Sequence, residues 1–288
     1  MSGSTHKLKS QPKHQAKNQQ GFTLIELVTV IVILGVLATG ISSFLRFGTQ
    51  SYTDATDRDA LISTARFVVE RLNREVRNAL PNSIRTIGAN KQCLEFVPID
   101  KSVVYLDIPV APEPASNSID VIMLENDLLS TTQYVAVFAL NSDDIYDVGT
   151  DIIKAFLTVS DTSDSKMKTI SFASNIIFNE ESPTERLYFI GTPISYCVEG
   201  QAIYRYQNYG FGSYNVSNGR PLGNVDTKKV LMAEYMDNYT SSGTNPEYPF
   251  QTSPPTLQRN GLALIRLKFA RNLENIVFIN EIQVPNVP

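Results

Sequence analysis

Histidine is nearly missing from this chain of 288 residues: it has two, His6 and His14, both within the first 21 positions. From residue 22 onward there is no imidazole for a serine–histidine–acid triad, an HExxH zinc site or a histidine acid–base step. Cysteine is equally scarce. Cys93 and Cys197 are the two present, too few and too far apart for a CxxC redox motif or a four-cysteine zinc site. Most familiar catalytic constellations are excluded by this inventory, and the sequence reads as that of a non-enzyme. No repeat with a period of 20–50 residues occurs, so a solenoid is excluded too. Proline is absent between Phe22 and Leu80, and a helix through that stretch meets no residue that breaks it.

Acid is missing from the first 21 residues, which carry Lys7, Lys9, Lys13 and Lys17. Without that leader the chain holds 21 basic and 29 acidic residues, a net charge of −8. A body of that sign has no general attraction for nucleic acid. Hydrophobic content of 42% with 19% charged residues suits a folded protein, not a disordered one.

One long apolar run is present, "FTLIELVTVIVILGVLATGISSFL". From Leu27 to Leu45 it has no charged residue. With Phe22–Ile25 it is about 20 residues long, the length of helix that crosses a bilayer. A core helix of a soluble domain would show a polar face, and this run shows none. A secretory signal would have a shorter apolar stretch and a cleaner small-residue site than "ATGISS". Flanking charge sets the orientation: the lysine-rich leader stays in the cytoplasm and the rest of the chain lies beyond the membrane. Glu26 is the exception in the apolar segment. An isolated carboxylate in a bilayer costs a few kcal/mol, so it marks a functional position for which a partner is sought.

The stretch "QQGFTLIELVTVIVILGVLA", following a short basic leader, resembles the processing site of type IV prepilins and type II secretion pseudopilins. The resemblance implies cleavage after Gly21 by a prepilin peptidase and methylation of the new amine at Phe22. It makes Glu26 the fifth mature residue. Stacked helices would set the Phe22 ammonium of one subunit against Glu26 of the next, removing two desolvation costs together and fixing axial register. Within one helix the two are four residues apart, which allows a weaker internal pairing. The family resemblance further implies a long helix docked on a globular head, an inner-membrane assembly platform and other pilins as partners, lipid as partner before assembly, and no cofactor.

Beyond Tyr52 the helix becomes amphipathic. Leu61, Ala65, Val68, Val69, Leu72, Val76 and Leu80 follow spacings of three and four. Arg66–Glu70, Glu70–Arg74 and Arg71–Glu75 are spaced for pairing on the wet side. Pro81 ends the helix. The domain plan is therefore a cleaved leader (1–21), a membrane or assembly half (22–48), an amphipathic half (49–80) and a head (81–288).

The head shows short β-rich runs: "CLEFVPI", "SVVYLDI", "QYVAVFAL", "TISFA", "NIIFN", "RLYFIG", "ISYCV", "AIYRYQ", "ALIRLKFA" and "NIVFINEIQV". Hairpins are expected in "NIIFNEESPTERLYFI", in "ISYCVEGQAIYRYQ" at Glu199-Gly200-Gln201, and in "LIRLKFARNLENIVFI" near Arg271-Asn272. The fold class is α+β, with a long helix over about 22–80 on an antiparallel, two-sheet head. "NYGFGSYNVSNGRPLGNVDTKK" and "DNYTSSGTNPEYPFQTSPPT" read as long surface loops. A Cys93–Cys197 disulfide is expected for a head in an oxidising space. Asp143, Asp144, Asp147 and Asp151 in "NSDDIYDVGTD" are weak calcium candidates; their spacing is not that of an EF-hand, and a solvated acidic turn is the expected state.

Two stretches, "DRDALISTARFVVERLNREVRNALPNSIR" and the closing "ENIVFINEIQVPNVP", resemble minor pilins of the MshO type in MSHA (mannose-sensitive haemagglutinin) pilus systems. That implies a subunit that primes or tips a filament. A type II secretion pseudopilin of the J type, or an adhesive or DNA-uptake tip subunit, are the alternatives the same N-terminus allows.

Overall fold

The computed structural model describes residues 21–147, 150–212, 214–215, 219–238, 248–255, 259–272 and 274–284. The basic leader, half of the second long loop and part of the first lie outside them; the described half of the second holds a short strand, Phe250–Ser253, and is not all loop. The chain divides at Thr53/Asp54 into an N-terminal unit and a larger unit that runs to the C-terminus.

Helix α1, Leu24–Arg77, contributes to both units. Its apolar first half is continuous through Gly35 and Gly40. The polar side chains there are satisfied locally: the Thr29 hydroxyl donates to the Glu26 carbonyl (3.0 Å), Thr39 to Val36 (2.8 Å) and Thr49 to Leu45 (3.0 Å). Such back-bonding satisfies these threonine hydroxyls without water, which suits a helix in lipid. The helix stops three residues short of Leu80. Asn78 and Ala79 close the last turn onto Glu75 and Val76, both at 3.2 Å, and Pro81 follows.

In the larger unit the second half of α1 buries the expected stripe: Leu61, Ala65, Val68, Leu72 and Val76 are all 1% exposed or less. They join one core with Leu94, Phe96, Tyr196, Ile203, Ile265, Leu267 and Phe269 from the strands. Burial of this kind contributes roughly 1.5–3 kcal/mol for each large side chain. Of the three spaced ion pairs, Arg71–Glu75 closes, at 2.9 Å.

Those strands belong to two antiparallel sheets. The first, in spatial order, is β1 (Arg85–Ile87), β2 (Cys93–Phe96), β10 (Ile194–Glu199), β11 (Ala202–Gln207) and β12 (Lys228–Glu234). The second is β13 (Phe250–Ser253), β14 (Gly261–Arg271) and β15 (Glu274–Val284). The hairpin turns fall where the sequence places them. Glu199 faces Ala202 across Gly200 (φ 60°), and Arg271 faces Glu274 next to Asn272 (φ 48°). Along β14, Ile265, Leu267 and Phe269 are buried while Arg266 and Lys268 are half-buried.

A third sheet has seven strands, so the described residues of the head form three sheets and not two. Its order is β6 (Ile153–Ala155), β5 (Tyr134–Ala136), β9 (Arg186–Ile190), β3 (Ile99–Tyr105), β4 (Ser116–Ile122), β8 (Met167–Ile176) and β7 (Thr158–Asp161). The hairpin expected in "NIIFNEESPTERLYFI" does not form. β8 pairs with β4 and β7, whereas β9 lies between β3 and β5. Val103, Val121, Val135, Ile170, Leu187 and Phe189 fill this sheet's own core. A short helix α2, Ser142–Tyr146, lies between β5 and β6.

Candidate functional site

Residues 21–23 lie outside any helix or strand and α1 begins at Leu24. Thr23 sits at the entry: its hydroxyl is 3.4 Å from the Glu26 N–H, and its carbonyl accepts from Leu27 (3.2 Å). Gly21 and Phe22 therefore precede a capped helix without belonging to it, with Phe22 82% exposed. That geometry presents the Gly21–Phe22 peptide bond to an enzyme without unwinding α1. Glu26 lies in the first helical turn, where the unpaired N–H groups favour a carboxylate. Every residue from Gly21 to Thr53 is exposed. The helix is long and apolar enough to cross a membrane.

The two cysteines of the head have a structural role. Cys93 and Cys197 are directly opposite in β2 and β10 and are joined as a disulfide between two fully buried positions. Ile87, Tyr206 and Tyr209 pack round it.

Two carboxylates, the half-buried Glu75 and the buried Glu95, tie the layers together. Glu75, on α1, accepts from Arg71 Nε (2.9 Å), from Arg205 Nε on β11 (2.9 Å) and from the Tyr196 hydroxyl on β10 (3.0 Å). Burial, and then Glu75 itself, hold the Tyr196 phenol well above its usual range, so it stays a donor. Glu95, on β2, pairs with Arg85 at 2.6 Å and accepts from the Tyr209 hydroxyl at 2.8 Å. Tyr209 also meets Ser195 Oγ at 2.6 Å, and burial pushes its phenol well up. The Arg85 guanidinium stacks 3.5 Å from the Tyr146 ring centroid.

Sequence spacing shows Glu75 only as a surface partner of Arg71; its larger role, the lock to the sheet, was not legible there. Replacing Glu75 by Leu should destabilise the protein by about 2–4 kcal/mol, because Arg205 is left buried without its counter-charge. Chemical denaturation of the full chain in detergent reads this directly, and Glu75→Leu/Arg205→Leu should recover part of the loss.

The acidic stretch is a helix start. Asn141 caps α2 by accepting from the N–H groups of Asp143 (3.0 Å) and Asp144 (3.1 Å). The Asp144 carboxylate accepts in return from Leu140 (3.0 Å) and Asn141 (3.1 Å), closing a capping box. Asp147 stands at the C-cap, and Asp151 pairs with Lys154. Among the described residues, no three histidine, cysteine, aspartate or glutamate side chains gather as a metal-ligand group.

Residues 16–42 match the family model of a prokaryotic N-terminal methylation motif. No curated protein and no solved structure matches the chain. The motif supports a type IV pilin- or pseudopilin-like chain, a structural protein anchored through its N-terminal helix and handled by a prepilin peptidase.

Proposed function

We propose that the chain is a minor type IV pilin of the MSHA kind. It enters the inner membrane through α1 with its leader in the cytoplasm and its head in the periplasm. Prepilin peptidase cuts after Gly21 and methylates Phe22. The subunit then leaves the bilayer for the filament, where Glu26 meets the Phe22 ammonium of a neighbour, and it primes or tips the growing fibre at the cell surface.

One observation carries this reading. The methylation motif lies at the head of a helix whose residues 21–53 are wholly exposed. Such a surface is stable only in lipid or among like helices. The resemblance of both the amphipathic helix and the C-terminal strand to MshO-type subunits supports the pilus over the secretion pseudopilus.

Mass spectrometry of sheared filaments tests it. The expected peptide begins at Phe22, carries one added methyl group and co-purifies with haemagglutinin-pilus subunits. Recovery of an unprocessed chain beginning at Met1, or of the mature chain solely with secretion-system subunits, would refute the reading.

A further inference from the structure

β15 is eleven residues long and closes one side of its sheet; no described strand pairs with its outer edge. The bonding on β14 shows which groups that edge offers. The Ala270 N–H donates to Tyr235 (2.8 Å), the Lys268 carbonyl accepts from Asp237 (2.8 Å), and the Arg266 N–H donates to Pro249 (2.9 Å). These three residues turn their backbone groups away from β15. By antiparallel alternation their partners Asn275, Val277 and Ile279 turn theirs to the open side, and Glu281 continues the row.

Natural sheets protect such edges with charge, proline, bulges or brevity. β15 has no proline and no bulge, and its register with β14 is unbroken from Glu274 to Val284. The middle of the edge carries two β-branched side chains, Val277 at 43% and Ile279 at 65% exposure. Of the four outward-bonding residues Asn275, Val277, Ile279 and Glu281, the charged one is Glu281, exposed and without a described cation. On the other face Ile276 and Phe278 are partly buried and border the core under α1.

We propose that β15 is a strand-addition site, occupied by an extended segment of a different protein chain. That segment is apolar opposite Val277 and Ile279 and cationic opposite Glu281. Main-chain bonds supply affinity, and the alternate side chains supply choice of partner. A second copy does not fit this edge. Two β15 strands pairing antiparallel are related by a two-fold axis perpendicular to the sheet, which also reverses the half of α1 lying on it. Their Asp54 ends, from which each chain leads to its apolar segment, would then face opposite directions, whereas two chains anchored in one bilayer need those ends on one side. This exclusion rests on the membrane reading proposed above; the edge itself does not.

The test uses the full chain in detergent micelles and a blocked octapeptide, TKTVIVTT, whose lysine falls opposite Glu281 in the antiparallel register. Fluorescence anisotropy should show saturable binding, weakened about two- to fivefold for TETVIVTT. Hydrogen exchange should slow at Asn275, Val277, Ile279 and Glu281, and not at the already bonded residues between them. Ile279→Pro removes an N–H that the β14 ladder does not use, so it should abolish binding with little change in melting temperature. Val277→Lys should do the same where the proline variant fails to fold. Absence of binding, equal binding of the two peptides, or protection elsewhere overturns the proposal. So does protection of these amides without peptide in a chain that runs as a dimer, which would make a second copy the occupant. The peptide readout is independent of filament assembly, so its failure leaves the pilin reading standing.

Discussion

Glu26→Ala is expected to abolish surface filaments, or incorporation into them, while leaving processing after Gly21 intact. On the assembly role proposed above, the two outcomes separate because the residue acts at two stages of unequal demand. Before assembly the carboxylate lies in the first turn of α1, exposed, where the helix N-terminus stabilises it by tenths of a kcal/mol. Its removal costs the isolated helix little and even eases insertion, since a carboxylate in the bilayer costs a few kcal/mol. The proposed cut between Gly21 and Phe22 lies ahead of the Thr23 cap and outside the helix, so it should not require Glu26 to be charged. In the filament the balance reverses. On the pairing proposed above, the Phe22 ammonium of each added subunit would be buried among helices and without Glu26 would have no counter-charge; breaking such a pair costs about 3–5 kcal/mol, more than a hundredfold in each addition step. Glu26→Gln keeps the volume and loses the charge, so it should fail nearly as badly. Immunoblots of whole cells against sheared filaments check both points. Normal incorporation of either variant would sink the pairing.

α1 was legible because its two halves carry two plain signals, an uncharged run and then a stripe at spacings of three and four. The hairpins β10–β11 and β14–β15 were legible because each has a short turn with a residue suited to positive φ, Gly200 or Asn272. The false hairpin between β8 and β9 shows the limit. Both runs are apolar and close in sequence, yet β9 pairs with β3 and β5, and proximity along the chain says nothing of a competing long-range partner. β4 and β12 were missed for another reason. "SNSIDVI" and "KKVLMAE" bury only two residues each, so their apolar pattern is faint. They are strands because neighbours supply the ladder. Glu75 follows the same rule: its partners Tyr196 and Arg205 lie 121 and 130 residues away.

Loss of the Cys93–Cys197 bridge is expected to have the largest effect on the head's stability. The bond closes a separation of 104 residues, and chain-entropy reasoning gives about 4–5 kcal/mol for a loop of that order, against a measured span of about 2–5 for small exported domains. The structure adds a local reason to expect the upper part of that span. Both cysteines are fully buried within an aromatic cluster with Tyr206 and Tyr209, so free thiols or hydroxyls there would also disturb packing. β2 is short, and it carries Glu95, whose pairing with Arg85 and Tyr209 depends on β2 staying against β10. Cys93→Ala/Cys197→Ala should therefore lower unfolding free energy by about 3–5 kcal/mol in denaturant titrations of the full chain in detergent. Wild type treated with reductant should unfold near the variant's midpoint. A double variant that unfolds at the wild-type midpoint would mean that the β2–β10 ladder and the Glu95 network hold this sheet without the bond.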